Sequence, residues 1–335
     1  MKILVTGGLG YIGSHTVVEL QNEGYEVVVI DNLNNSTDAI KGKIEGITNK
    51  EFVLEINDVN NTNALDKLFA EHHFDGVIHF AAYKAVGESV EKPVMYYENN
   101  VSGLISILVA MDKHGVSNLI FSSSCTVYGA ATDLPVTEHT PIQKAESPYG
   151  TTKILCEDII NDFSKHKDFK SVLLRYFNPV GAHPSASIGE LPLGVPSNLI
   201  PYVTQTAAGI RQELTVHGKD YNTVDGTCIR DYIHVVDLAK AHVKALNYAF
   251  TMDKNVDAFN VGTGNGTTVI QVIEAFEKVN NLKLNYTIGP RRPGDVEQIW
   301  ADTTKVNALL GWEPTYGVED MMKHAWAWQQ GLLGE

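Results

Sequence analysis

The sequence has only three cysteines, Cys125, Cys156 and Cys228, widely spaced and with no Cys-x-x-Cys pair. That excludes a disulfide framework and a thiolate zinc site as organising devices, and it fits a reducing compartment. Positive charge is also scarce: 26 Lys and Arg stand against 40 Asp and Glu, a net charge of −14. Such a chain offers no general surface for nucleic acid or for an anionic membrane, although a local basic pocket for a phosphorylated ligand remains open to it. No apolar run approaches the roughly 20 residues that a membrane-spanning helix needs. Internal repeats and low-complexity tracts are missing as well. The chain enters an apolar strand at its first residues, leaving no room for a leader peptide, so the expected location is the cytoplasm.

What is present is an ordinary globular composition, 44% hydrophobic and 20% charged over 335 residues, enough for one large core or two coupled domains. Through the first half, short apolar runs at 3–5, 26–30, 51–54, 77–80, 119–122 and 172–175 alternate with helical patterns at 12–22, 63–71, 96–114 and 148–164. The alternation predicts an α/β fold with a parallel sheet covered on both faces, whose ligands bind at the carboxyl ends of the strands. After Asn178 the texture changes. Residues 179–201 are rich in Pro, Gly and Ser and read as long loops, followed by helices at 236–248 and 268–279, a strand at 258–261, and two packing helices beyond Thr303. The expected division is a doubly wound domain at 1–178, rejoined by about 234–262, with the remainder of 179–335 forming a smaller α/β substrate-binding domain.

Residues 3–13 place strand, glycine turn and helix in order. Gly7, Gly8, Gly10 and Gly13 let the backbone turn tightly and approach a pyrophosphate at the positive end of the next helix. The second strand ends in Asp31, 18 residues after Gly13. A carboxylate there accepts hydrogen bonds from a ribose diol and repels a 2′-phosphate, which favours NAD over NADP.

Tyr149 and Lys153 stand four apart at the start of a helix opened by Ser147 and Pro148, a good N-cap and a good first-turn residue. The spacing stacks a phenol beside an ammonium. One cation about 5 Å away is worth roughly 3 kcal/mol at an effective dielectric of 20, about two pK units, so Tyr149 is expected to exchange a hydroxyl proton near neutral pH. Alone, the pair equally describes a surface contact. Ser124, closing the fifth strand 25 residues upstream, adds a hydroxyl for the same substrate oxygen, although a serine there also serves neighbouring backbone. The three together form a proton-handling triad that requires no metal, because a nicotinamide accepts the hydride.

The start Thr6-Gly7-Gly8-Leu9-Gly10-Tyr11-Ile12-Gly13-Ser14-His15 resembles the extended short-chain dehydrogenase/reductase superfamily. Asp31-Asn32-Leu33, His79-Phe80-Ala81-Ala82, 84–89, Ser147-Pro148-Tyr149-Gly150, 175–179 and 230–234 narrow the resemblance to the UDP-glucose 4-epimerases, over residues 1 to about 302. The resemblance implies a Rossmann-type fold, NAD as cofactor, a homodimer, and C4 epimerisation of UDP-galactose and UDP-glucose through a 4-keto sugar. It implies that Gly7, Gly10, Tyr11, Ile12 and Gly13 with Asp31, Asn32, Leu33, Asn34, Asn35 and Ser36 hold the pyrophosphate and adenosine ribose. Asp58 and Val59 flank the adenine. Phe80, Ala81, Ala82, Tyr83, Lys84, Asn99, Ser122 and Phe177 join Ser124, Tyr149 and Lys153 around the inner cofactor site.

For the UDP-sugar it implies Lys84, Ser124, Tyr149, Asn178, Asn198 and Leu199, with Arg230 and Arg292 on the diphosphate and Asp295 on the uridine ribose. A guanidinium pair suits phosphate, while Arg291-Arg292 equally reads as a solvated basic pair. His217 stands at the uracil position, where many relatives carry Phe, and Ala82-Tyr83 replaces a more usual Gly-Leu. Ile299 stands where the family carries either a small residue or Tyr near sugar C2. That leaves another nucleotide-sugar epimerase, acting on UDP-N-acetylglucosamine or UDP-glucuronate, as the alternative, with the non-acetylated sugars preferred. Dehydratases carry Asp-Glu where this chain has Cys125-Thr126. A non-catalytic sensor on this fold typically loses the Tyr or the Lys, and both are kept here.

Overall fold

Val27, Val28, Val29 and Ile30 form a β-branched run that is buried throughout. Such a run suits a strand covered on both faces. The computed structural model describes residues 1–165, 167–292 and 294–334. Its first half runs β1 Lys2–Thr6, β2 Glu26–Asp31, β3 Val53–Ile56, β4 Gly76–His79, β5 Asn118–Ser124 and β6 Lys170–Tyr176. Helices Tyr11–Asn22, Ala39–Thr48, Thr62–Glu71, Gly103–His114 and Pro148–Lys165 lie between them. The chain then leaves the sheet for β7 Asn178–Val180, helix Leu199–Ala207, β8 Leu214–His217 and β9 Ile229–His234. Helix Val235–Ala249 returns it to the sheet as β10 Val256–Val261. β11 Gly266–Thr268, helix Val269–Asn280, β12 Tyr286–Gly289, β13 Gln298–Ile299 and helices Thr304–Leu310 and Val318–Gly334 follow.

The main sheet has the order β10-β6-β5-β4-β1-β2-β3. All six pairings are parallel. This is the doubly wound Rossmann-type sheet that the alternation predicts. Strand direction of addition reverses between β1 and β4, and the crevice at their carboxyl ends is where such sheets bind ligands. Side chains alternate across the sheet as a period of two requires. Ile3, Val5 and Val29 pack with Val17, Leu238 and Leu246 on one face. Leu4, Val28 and Ile30 pack with Leu65, Leu104 and Ile107 on the other. Each such side chain, fully buried, contributes about 1.5–3 kcal/mol. In the remainder of the chain, β9 is flanked by β11, β13 and β7, and β8 pairs with β12. Among the described residues no helix is long and apolar enough to cross a membrane.

Several elements depart from the sequence expectation. The third strand begins two residues later than predicted, at Val53. The helix expected over 96–114 is interrupted by a π-helical segment, Tyr97–Ser102. Helix Ala39–Thr48 was not expected, because it carries Gly42 and Gly46 and buries only Ile40 and Ile44. Thr268 caps its helix rather than starting it, in a capping box with Gln271.

Four buried histidines make the fold acid-sensitive. Burial lowers His15 and His79 to about 3, His234 to about 2 and His242 to about 4. His234 Nδ1 accepts the Val236 N–H, so its proton lies on Nε2, 3.0 Å from His324 Nδ1. All four folded values lie below the unfolded value of about 6.5, so between those limits the unfolded chain binds more protons. Stability is therefore full above about pH 7 and falls as pH drops below 6.5, by about 1.4 kcal/mol per histidine per pH unit. Thermal melts from pH 8 to 5 should show a flat midpoint down to about 6.5 and a steep decline below it, before carboxylates titrate. A midpoint that stays flat to pH 5 would contradict this assignment.

Candidate active site

The glycine turn is held from three directions. The Gly7 N–H donates to the Ile30 carbonyl at 2.8 Å and the Gly10 N–H to the Gly7 carbonyl at 3.1 Å. Gly7 has φ of +67°, and a Cβ there would lie 2.9 Å from the Ala81 backbone nitrogen. A Cβ at Gly13 would lie 2.2 Å from the Gly7 carbonyl oxygen, so only glycine lets the helix begin this close to the strand. Asp31 braces the same turn: its carboxylate accepts from Leu9 N at 3.0 Å, Leu33 N at 2.9 Å and Ser36 Oγ at 2.8 Å. Leu33 itself adopts a left-handed φ of 59°. Asn34 and Asn35 are exposed beside it.

Next to Asp31, Asn32 Nδ2 donates to Asp58 Oδ2 at 2.7 Å, while Val59 is buried in the sheet core. The Tyr11 hydroxyl crosses to the Gly181 carbonyl at 2.7 Å, so its side chain ties the first helix to the excursion after β7. Burial, with the Glu190 charge, raises that phenol well above its ordinary value.

At the end of β4, Phe80 and Ala81 are fixed by the Thr6 carbonyl and hydroxyl. The following Ala82-Tyr83-Lys84 segment is pinned by Asn100, which accepts from Tyr83 N at 2.8 Å and donates to the Tyr83 carbonyl at 3.0 Å. Asn100 also takes a hydrogen bond from Asn99 and gives one to Thr152 on the helix that carries Tyr149. Sequence reading missed Asn100. Nothing in the sequence marks it; its sign is structural, a place in the π-helical segment, a distortion common near functional sites.

β5 and helix Pro148–Lys165 bring Ser122, Ser124, Tyr149 and Lys153 together. Ser147 caps the helix as expected, accepting the Gly150 N–H at 3.2 Å. The Lys153 ammonium donates to the Ser122 carbonyl at 2.6 Å and lies 5.8 Å from the Tyr149 ring centroid. The Ser122 hydroxyl is hydrogen-bonded to the Tyr176 hydroxyl. Ser124 Oγ accepts from both Thr126 N and Thr126 Oγ1, which occupies its two lone pairs and leaves its own proton for Tyr149. Thr126, the residue standing where dehydratases carry Glu, thus aims the serine.

The electrostatics correct one expectation. Tyr149 is raised rather than lowered, because burial outweighs the Ser124 hydrogen bond that favours the phenolate. Lys153 is itself brought down to about 8 by burial. With its ammonium turned to the Ser122 carbonyl, it does not offset the phenol's desolvation in the protein alone.

The predicted substrate residues form two groups. Lys84 Nζ is 2.8 Å from Glu190 Oε1, which also accepts from Asn198 Nδ2 at 2.7 Å, so a carboxylate that sequence reading did not single out joins Lys84 to Asn198. Leu199 begins the helix immediately after. Phe177 and Ile299 share one buried apolar cluster, and Asn178 opens β7 beside it. In the second group, Arg230 and Arg292 converge on Asp295, at 3.7 and 2.7 Å. Burial works against the Arg292 charge, yet Asp295 holds its pKa above the ordinary value. Arg291 is paired with Asp220 and stacked on Tyr221 instead, so of the two adjacent arginines only Arg292 joins the cluster. His217 is exposed at the end of β8, its Nδ1 3.3 Å from the Pro290 carbonyl oxygen.

Comparison with known proteins agrees with this architecture. Residues 4–325 match the family model described as GDP-mannose 4,6 dehydratase. A UDP-glucose 4-epimerase of Bacillus subtilis is 49% identical over 330 residues, covering 98% of this chain and 97% of that protein. One from Arabidopsis thaliana is 49% identical over 332 residues, with 98% and 94% covered. The crystal structure of the UDP-glucose 4-epimerase from Stenotrophomonas maltophila, with bound NAD and formylated UDP-arabinopyranose, superposes with a TM-score of 0.97 at 44% identity, covering 100% of this chain and 99% of that one. That of Bifidobacterium longum, in complex with NAD+ and UDP, gives 0.95 at 46%, covering 99% and 98%. The broad family model describes the shared fold, while Cys125-Thr126 lack the dehydratase carboxylates, and the full-length identities place the protein in the UDP-glucose 4-epimerase family of the extended short-chain dehydrogenases/reductases.

Proposed function

We propose that the protein interconverts UDP-galactose and UDP-glucose by epimerising sugar C4 through a 4-keto sugar, with NAD resident in the crevice between β1 and β4. The observation that carries this reading is the convergence of Ser124, Tyr149 and Lys153 at the end of β5. The glycine turn fits a dinucleotide: Gly7 and Gly13 admit no Cβ against the Ala81 and Gly7 backbone, which keeps the turn tight at the start of helix Tyr11–Asn22, where a pyrophosphate would sit, and Asp31 braces the same turn. In this reading Gly7, Gly10, Tyr11, Ile12 and Gly13 hold the pyrophosphate and Asp31 to Ser36 the adenosine ribose. Asp58 and Val59 flank the adenine, and 80–84, Asn99, Ser122 and Phe177 line the inner site. NAD, when bound, supplies the hydride acceptor for C4 and carries a positive charge that favours a phenolate.

The chain's own residues manage the proton. Tyr149 takes it from the sugar O4 and later returns it. Ser124, both of whose lone pairs are occupied by Thr126, has one proton to donate, and the developing oxyanion at O4 accepts it in place of Tyr149. Lys153 keeps a cation beneath the phenol. Inverting C4 demands that the keto sugar turn over while its nucleotide stays fixed, so contact energy belongs on UDP. Arg230, Arg292 and Asp295 supply it, with His217 at the uracil, and Lys84, Asn178, Asn198, Leu199 and Ile299 bound the sugar. In the same reading the sheet unit comprises 1–178 and 234–262, and the rest of 179–335 binds the UDP-sugar.

A homodimer and a cytoplasmic location belong to this proposal. The helices over 96–114 and 148–164 resemble the pair that builds a dimer interface in relatives; on them Ile105, Val109 and Leu155 are 44, 58 and 38% exposed, apolar side chains that suit pairing with a second copy. Cys125, Cys156 and Cys228 are all free thiols, as a reducing compartment favours.

Purified protein given UDP-galactose and no added cofactor should form UDP-glucose. Absence of conversion, before and after NAD is supplied, would defeat the proposal. Tyr149→Phe should lose about 10²–10⁴-fold in kcat while UDP affinity stays within about twofold; near-normal turnover would remove Tyr149 from the role of base. Ile299 is 5% exposed, lies in the same buried apolar cluster as Phe177, and is bulkier than a small residue beside an N-acetyl group would be. UDP-N-acetylglucosamine should accordingly give no measurable turnover, and turnover comparable to UDP-glucose would favour the broader epimerase reading.

A further inference from the structure

The helix that carries Tyr149 and Lys153 carries a third residue on the same stripe, Glu157, again four residues on. Glu157 is 1% exposed. Its carboxylate accepts from Ser123 Oγ at 2.5 Å and, bidentately, from Arg175 Nε and Nη2 at 2.9 and 2.6 Å. Arg175 lies on β6 and donates its remaining nitrogen to the Tyr128 hydroxyl, which in turn donates to Asn260 on β10. A buried ion pair of this kind gives little net stability over an apolar replacement. What it does give is position. Three consecutive residues of β5 each meet one member of the helical stripe: the Ser122 carbonyl meets Lys153, the Ser123 hydroxyl meets Glu157, and the Ser124 hydroxyl meets Tyr149.

We propose that Glu157, clamped by Ser123 and Arg175, is a positioning residue for proton transfer, fixing the register of the Tyr149 helix against β5 so that Tyr149 and Ser124 face one substrate oxygen. The proposal rests on the epimerase reading. The middle contact anchors the helix, because Ser123 and Glu157 are 0 and 1% exposed and the Glu157 carboxylate is also gripped by Arg175 of β6. Glu157 also places an anion one turn from the Lys153 ammonium and favours its charged form. The other titratable groups around that ammonium are Tyr149 and Cys156 on its own helix and His79 at the end of β4, with Arg175 behind Glu157.

Two variants separate geometry from charge. Ser123→Ala removes one hydrogen bond and no charge, and Glu157→Gln keeps the shape and removes the anion. Each is assayed with UDP-galactose beside the wild type, with UDP binding and thermal midpoint as folding controls. Ser123→Ala should lower kcat about tenfold, leave KM within about twofold, and leave the alkaline limb of the kcat profile in place. Glu157→Gln should lower kcat further and move that limb toward lower pH by at least about half a unit, since loss of an anion disfavours the Lys153 cation. If Glu157→Gln does not fold, Ser123→Ala decides alone. A folded Ser123→Ala protein with kcat within about twofold of wild type, or a loss matched by an equal rise in KM, overturns the positioning role. An inactive wild type would instead overturn the epimerase reading, which keeps the two failures distinct.

Discussion

The close approach of β1 and β4 at their carboxyl ends is the constraint on which the rest of the molecule depends. Gly7 lies so near Ala81 that no side chain fits between them, and Gly13 is as tightly placed against the Gly7 carbonyl. This contact closes the floor of the crevice where strand addition reverses. Asp31 locks it by receiving Leu9 from the glycine turn and Leu33 and Ser36 from the loop after β2. From that fixed point the Tyr11 hydroxyl reaches Gly181, so the same turn that shapes the crevice also anchors the segment leading to Glu190 and Asn198. A substitution in the turn would therefore be felt at both ends of the site.

Much of this was legible in the residues themselves. The glycine turn could be read because backbone geometry leaves few alternatives to glycine there, and Asp31 because its distance from the turn is set by one helix and one strand. Tyr149 and Lys153 could be read because helical periodicity places them, and Ser147 because a cap needs a hydroxyl. Glu190, Asn100 and Asn260 could not. Each acts across many residues of sequence, on a partner that only the folded chain brings near. The short strands β7, β8, β9 and β11 to β13 were illegible for a different reason, since two to six residues outside a regular strand–helix alternation carry too little periodicity to separate them from loop. Arg292 was singled out from Arg291 by resemblance alone, and the physical difference lies in their partners, Asp295 for Arg292 and Asp220 for Arg291. The Tyr149 pKa was misjudged because a pairwise Coulomb argument omits desolvation, which here is the larger effect.

A chain with a net charge of −14 that is to hold a dianionic diphosphate needs its cations concentrated and restrained. The structure does this by pairing them. Arg230 and Arg292 share Asp295, and Lys84 is held by Glu190. Paired cations keep their direction in the absence of ligand, which lowers the ordering cost when phosphate arrives. The same pairing keeps the positive field local, so the surface as a whole stays anionic and discourages unrelated polyanions.

The topology of the main sheet also governs how the chain is made. β6 pairs with β5 on one side, and its other edge is closed only by β10, about 80 residues later in the chain. During synthesis at about 5–20 residues per second, that edge stays open for roughly 4–16 s after β6 emerges. An unpaired, fully apolar edge such as Val172-Leu173-Leu174 is a template for pairing with another chain. The nascent protein is thus most exposed to misassembly during the interval in which residues 177–255 are being translated, and completion of β10 is the step that closes the sheet.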